Sequence, residues 1–127
     1  MTVTLGYATA VGGGDLDEQL AALTADGVDP KRIFTDRTAG STDKVRAGLL
    51  ALLSYARSGD VVVVTALEHM GRSVSEVTQT VADLTTRGIT LRCLQNGLDT
   101  ATSTGRVVAQ VLSELAALDA GRSDSRI

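Results

Sequence analysis

The chain has a single cysteine, no long apolar run and no surplus of basic charge, and each shortage narrows what it can be. Cys93, alone among 127 residues, cannot close an internal disulfide. Inside the strand-like Ile89-Thr90-Leu91-Arg92-Cys93-Leu94 it reads as a small buried hydrophobe, and a catalytic thiol is not expected, since no partner histidine is placed beside it. No apolar stretch approaches the roughly 20 residues that cross a bilayer, and Met1-Thr2-Val3-Thr4-Leu5-Gly6-Tyr7 carries no basic run ahead of an apolar one. A cytoplasmic protein with no membrane partner is expected. Against 15 Asp and Glu there are only 12 Lys and Arg, a formal charge of −3. That balance argues against a general nucleic-acid binder, whose affinity comes from cations displacing counterions, so any DNA contact must be local or borrowed. Repeats and low-complexity segments are also missing. One domain is expected, and a chain of this length buries about two thirds of its unfolded surface in a single core.

What is present is organised around Gly59-Asp60-Val61-Val62-Val63-Val64-Thr65-Ala66-Leu67-Glu68-His69-Met70-Gly71-Arg72-Ser73. Four successive valines cannot alternate between core and water, so they mark a strand covered on both faces, as central parallel strands are. Behind them come Glu68, His69 and Arg72, and Ser73 with Glu76 has the form of a capping box opening a helix. Charged side chains are thereby placed at the carboxyl end of a buried strand, where open α/β sheets bind ligands.

The remaining elements follow in alternation. Thr2 to Ala8 alternates as a first strand. Asp15 with Glu18 is a second capping box, and Leu16, Leu20 and Leu23 mark a helix ending near Gly27. Arg32-Ile33-Phe34-Thr35 is the second strand; Arg37 to Asp43 lacks any period and predicts a mobile loop. Lys44 to Ser58 is an amphipathic helix closed by Gly59. Val74, Val77, Val81 and Leu84 recur at helical spacing up to Arg87-Gly88, a fourth strand spans Ile89 to Leu94, and Asn96-Gly97 is a turn. A last helix covers about Ser103 to Ala120. The order β-α-β-α-β-α-β-α predicts a three-layer α/β/α class with a mostly parallel central sheet and a long C-terminal helix, occupying residues 1–121 with a polar tail at 122–127.

Leu67-Glu68-His69-Met70-Gly71-Arg72-Ser73 resembles the Leu-Asp-Arg-Leu-Gly-Arg-Ser signature of the resolvase/invertase serine recombinases, which break and rejoin DNA through a phosphoserine link. The likeness extends over nearly the whole chain, through Gly6-Tyr7-Ala8, through Arg32-Ile33-Phe34-Thr35-Asp36-Arg37, through Arg46-Ala47-Gly48-Leu49, and through Gly97-Leu98-Asp99-Thr100 and Gly105-Arg106. It implies the N-terminal catalytic domain of that family and the same fold. It also implies where chemistry should sit. The family's first strand ends Tyr-Ala-Arg-Val-Ser, with the serine as nucleophile and the arginine as a phosphate clamp; here the place reads Tyr7-Ala8-Thr9-Ala10-Val11. Thr9 replaces the arginine and Val11 the serine. In the signature, the acid is kept as Glu68, the first arginine has become His69, and the second is kept as Arg72; Arg46 is kept as well. Near the end of the long helix, the family's Glu-Arg pair is matched by Asp119-Ala120.

Phosphoryl transfer needs an oxygen nucleophile and cations around the phosphorus. A single arginine finger supplies on the order of 10³–10⁵ in rate, and losing the nucleophile of a covalent mechanism costs on the order of 10⁶. Valine has no atom to activate, and His69 offers a shorter clamp than a bidentate guanidinium. Thr9, Ser41 and Thr42 are poorly placed to substitute, and Tyr7 is expected to pack in the sheet. The resemblance therefore implies a catalytic-domain homologue without strand-transfer activity, a pseudoenzyme serving as an interaction or regulatory module, with Arg46, Glu68, His69 and Arg72 as the remains of a phosphate pocket. Two alternatives stay open: an active strand-transferase using an unusual nucleophile or a partner's catalytic groups, and an anion- or nucleotide-binding module using Gly12, Gly13 and Gly14 beside Arg72. Those glycines lack the phosphate-loop lysine and the dinucleotide spacing, and neither a cofactor nor a metal site is expected. The polar tail leaves no recognition helix to expect, so DNA or a full-length recombinase would be a weakly held partner. A homodimer is expected through Val108, Val111, Leu112 and Leu115 of the last helix; the alternative is that this helix folds back onto the sheet.

Overall fold

The computed structural model describes residues 2–10, 15–37, 47–71 and 73–125, with side chains up to residue 117. Five strands, β1 (Thr4–Thr9), β2 (Ile33–Asp36), β3 (Val61–Val64), β4 (Thr90–Cys93) and β5 (Leu98–Asp99), form one sheet in the order β2-β1-β3-β4-β5. Four helices accompany them: α1 (Leu16–Ala25), α2 (Ala47–Tyr55), α3 (Val74–Thr86) and α4 (Ser103–Ser125). The first four strands are parallel. The chain steps outward from β1 to β2, then crosses back to β3 on the other side. Crossovers of one hand therefore put α1 on one face and α2 and α3 on the opposite face. The packing agrees. Leu16, Leu20 and Leu23 of α1 lie with Ala8, Val28 and Val63, whereas Leu49, Leu52, Val81 and Leu84 share the larger core with Leu5, Tyr7, Val62 and Val64. Val62 to Val64 are fully buried, as a run without alternation requires.

The N-cap half of each expected capping box forms at its helix start: Asp15 Oδ1 accepts from the Glu18 N–H at 3.1 Å and Ser73 Oγ from the Glu76 N–H at 3.2 Å. Cys93 is buried, as expected. Two expectations are corrected. A fifth strand exists, because Asn96-Gly97, with Gly97 at φ 74°, turns the chain into a short antiparallel hairpin pairing Cys93 with Leu98. The last helix does not stop near Ala120 but runs through Gly121 to Ser125. One side of that helix packs on its own domain: Gly105, Ala109 and Ala116 are buried, Leu112 packs on the main core, and α4 lies chiefly along α3. A Cβ on Gly105 would collide with the Asp99 carbonyl; only glycine allows α4 to start that close to β5.

Candidate active site at the carboxyl edge

β1 lies between β2 and β3, which the chain reaches in opposite directions, and such a switch point opens a crevice at the carboxyl ends of the strands. Every described candidate residue converges there. β1 delivers Thr9. A 3-10 turn over Leu67–Met70 follows β3 and delivers Glu68 and His69.

Thr9 is fully buried. It stands three residues beyond Gly6, the last β1 residue paired with β3, so its backbone groups on that side have lost their strand partner. The Gln19 carboxamide replaces it: Oε1 accepts from the Thr9 N–H at 2.9 Å and Nε2 donates to the Thr9 carbonyl at 2.8 Å. The Thr9 hydroxyl donates to the Asp36 backbone carbonyl at 3.3 Å. Gln19 is itself buried, which is tolerated because both ends of its amide are satisfied.

Asp36, at the end of β2, is the hub of the other side. Its carboxylate accepts from the Tyr7 hydroxyl at 2.6 Å, from the Gly48 N–H at 2.7 Å and from the Leu49 N–H at 3.1 Å. The last two are orphan donors of the first turn of α2, so Asp36 caps that helix from a distant strand. Gly48 permits this approach, since a Cβ there would strike the Thr35 carbonyl. Tyr7 packs in the sheet as expected, with its hydroxyl engaged.

The signature turn is built differently. Met70 and Gly71 are buried and anchor it, and the His69 N–H donates to the Ala66 carbonyl at 3.1 Å. Glu68 is exposed; His69 is half-buried, with Nδ1 3.2 Å from Thr65 Oγ1. Between this turn and α1 lies a cleft of about 440 Å³ lined by Asp15, Glu18, Gln19, Thr65, Glu68 and His69. Its described walls carry three carboxylates and one imidazole. The structure thus brings Thr9, Glu68 and His69 to one edge. Val11, Arg46 and Arg72 lie outside the described residues, as do Gly12, Gly13, Gly14, Ser41 and Thr42; the side chain of Asp119 is not described. Among the described residues no group of three or more His, Cys, Asp or Glu is arranged to hold a metal, and no helix is long and apolar enough to cross a membrane. Of the expected partner face, Val108, Val111 and Leu115 are exposed, while Leu112 turns inward.

A family model described as the resolvase N-terminal domain matches residues 8–126. The chain belongs to the resolvase family. A resolvase/recombinase of Pseudomonas putida is 37% identical over 101 residues, covering 80% of this chain and 55% of that protein. The transposon Tn3 resolvase of Escherichia coli is 35% identical over 101 residues, covering 80% and 54%. The DNA-invertase hin of Salmonella typhimurium is 36% identical over 105 residues, covering 83% and 54%. This resolvase-family chain thus spans about half the length of the curated relatives it matches. Among solved structures, the N-terminal catalytic domain of TP901-1 integrase superposes with a TM-score of 0.70 at 23% identity, over 95% of this chain and 98% of that one. A resolvase-family site-specific recombinase from Streptococcus pneumoniae gives 0.65 at 20% identity, over 98% and 91%. At those identities the superpositions establish the fold.

Gln19 and the capping role of Asp36 escaped the sequence reading. Asp36 stands 12 residues before Gly48, too far for any local capping pattern, and a lone glutamine on an amphipathic helix carries no sequence signal for pairing with a strand end.

Proposed function

We propose that this member of the serine recombinase family has lost strand transfer and acts through protein contacts, as a homodimer or bound to an active recombinase. The observation that carries the proposal is Val11, an alkyl side chain at the position of the family's nucleophilic serine. Thr9 supports it: the residue at the arginine position is a buried neutral hydroxyl already donating to the Asp36 carbonyl, so it supplies neither a clamp nor a solvent-accessible nucleophile. The three carboxylates on the described walls of the neighbouring cleft also disfavour a phosphodiester. The exposed apolar residues Val107, Val108, Val111 and Leu115 along α4 support pairing through that helix.

Incubation with supercoiled plasmid, followed by denaturation, tests the loss of chemistry. No protein linked to a 5′ phosphate is expected, and a covalent adduct would overturn the proposal. Light scattering at high micromolar concentration should report a dimer; a monomer there would remove the homodimer. Nicking that reappears only when a full-length recombinase is added would instead favour catalytic groups supplied in a mixed oligomer.

A further inference from the structure

A second concavity lies at the opposite pole of the sheet. It is a groove of about 590 Å³ between the end of α3, the start of β4 and the first turns of α4. Ile89 and Ala109, both buried, form its floor. Arg106, Gln110 and Ser113 lie along its α4 wall, and Thr90 and Thr100 face them from the sheet side.

The polar groups of this groove are unequally committed. The Ser113 hydroxyl donates to the Ala109 carbonyl and the Thr85 hydroxyl to the Val81 carbonyl, each at 2.9 Å, so these side chains present mainly carbon to the groove. Thr100 Oγ1 accepts from the Leu91 N–H at 2.8 Å, which leaves its proton to donate. The Arg106 guanidinium makes no hydrogen bond or ion pair among the described residues, and only its backbone N–H is engaged, donating to the Thr102 carbonyl at 2.9 Å. Gln110, one helical turn further on, shares its face. Among the described residues no carboxylate lines the groove, and Arg106 is its one cation.

We propose that this groove is a binding site for a small organic monoanion, a carboxylate on a compact apolar body, with Arg106 as its charge partner. The volume falls within the range of small-molecule pockets, roughly 300–1,000 Å³. One guanidinium matches one carboxylate with two parallel hydrogen bonds, whereas a phosphate dianion or a polyphosphate would leave charge unmatched. Gln110 and the Thr100 hydroxyl supply flanking neutral donors, and Ile89, Ala101 and Ala109 the apolar contact. The site lies at the amino-terminal pole, remote from Glu68 and His69, and is independent of the fate of strand transfer.

Titration of the ¹⁵N-labelled full chain with benzoate, and separately with benzamide, tests the proposal. Benzoate should give saturable shifts at Thr90, Ala101 and Gln110 with a Kd no weaker than about 1 mM, and benzamide should give none. Arg106→Gln should weaken binding about tenfold with an unchanged melting temperature, and Arg106→Lys by an intermediate factor, since an ammonium lacks the fork. If Arg106→Gln impairs folding, Gln110→Ala takes its place, with an expected loss of several-fold. Equal response to benzamide, absence of saturation, or indifference to both variants would overturn the assignment.

Discussion

The two sides of the carboxyl edge carry their polar groups in opposite ways. On the β1-β2-α2 side, the polar groups at the strand ends are spent on the fold: the Tyr7 and Thr9 hydroxyls donate to Asp36, and the Asp36 carboxylate accepts three hydrogen bonds. On the signature-turn side, Glu68 projects into solvent and His69 is held at Nδ1 by a threonine hydroxyl. One side is scaffold, the other is surface. The lesson is that polar groups at one sheet edge can form two layers, one committed to the fold and one left at the surface. The layer that fixes the ends of β1, β2 and α2 is structural, because removing it exposes unsatisfied donors. On the proposed reading, Thr9, Val11 and His69 stand where phosphate chemistry would need a clamp and a nucleophile.

Asp36→Ala should therefore be the most damaging single change. It removes the cap of α2 and the carboxylate to which the Tyr7 hydroxyl donates, an expected loss of about 3 kcal/mol measured by urea denaturation. Asp36→Asn sharpens the point: asparagine caps well but is neutral, so about 1 kcal/mol is expected. An Asp36→Ala protein as stable as wild type would mean that the hub is decorative.

Gln19→Leu comes next. It keeps the bulk but leaves the Thr9 N–H and carbonyl buried without that amide, for about 2 kcal/mol. Loss of hydrogen-exchange protection at the Thr9 amide would locate the effect at the strand end; unaltered protection would show that the strand end is held by something else. Tyr7→Phe follows. It deletes one bond to Asp36 while the two α2 amides still occupy the carboxylate, so about 1 kcal/mol is expected, and a double cycle with Asp36→Asn should be non-additive.

How much of this the sequence discloses differs between the two layers. The valine strand, both capping boxes and the buried cysteine are local: composition over a few residues determines them. The signature turn, with Glu68 and His69, was visible because its residues are contiguous. β5 was missed because two residues hold no period, and the Asn96-Gly97 signal does not say whether a strand follows. The Asp36 hub and the Gln19 amide were missed because their partners lie 10 to 29 residues away, joined only once the sheet forms. On α4 the apolar residues alone did not distinguish the two sides. The buried side is made by Gly105, Ala109 and Ala116, small residues that admit α3, together with Leu112, while the larger Val111 and Leu115 remain about half exposed.

Glu68→Gln is the smallest expected effect and the sharpest test of the division. The carboxylate is exposed and accepts no hydrogen bond among the described residues, and the buried Met70 and Gly71 anchor the turn around it. A change within about 0.5 kcal/mol is therefore expected. His69→Ala should cost somewhat more, because Thr65 Oγ1 loses its ring partner. A loss from Glu68→Gln comparable to that from Asp36→Ala would mean that the signature turn belongs to the scaffold after all. An acid at position 68 would then need no explanation from phosphate chemistry, since folding alone would account for it.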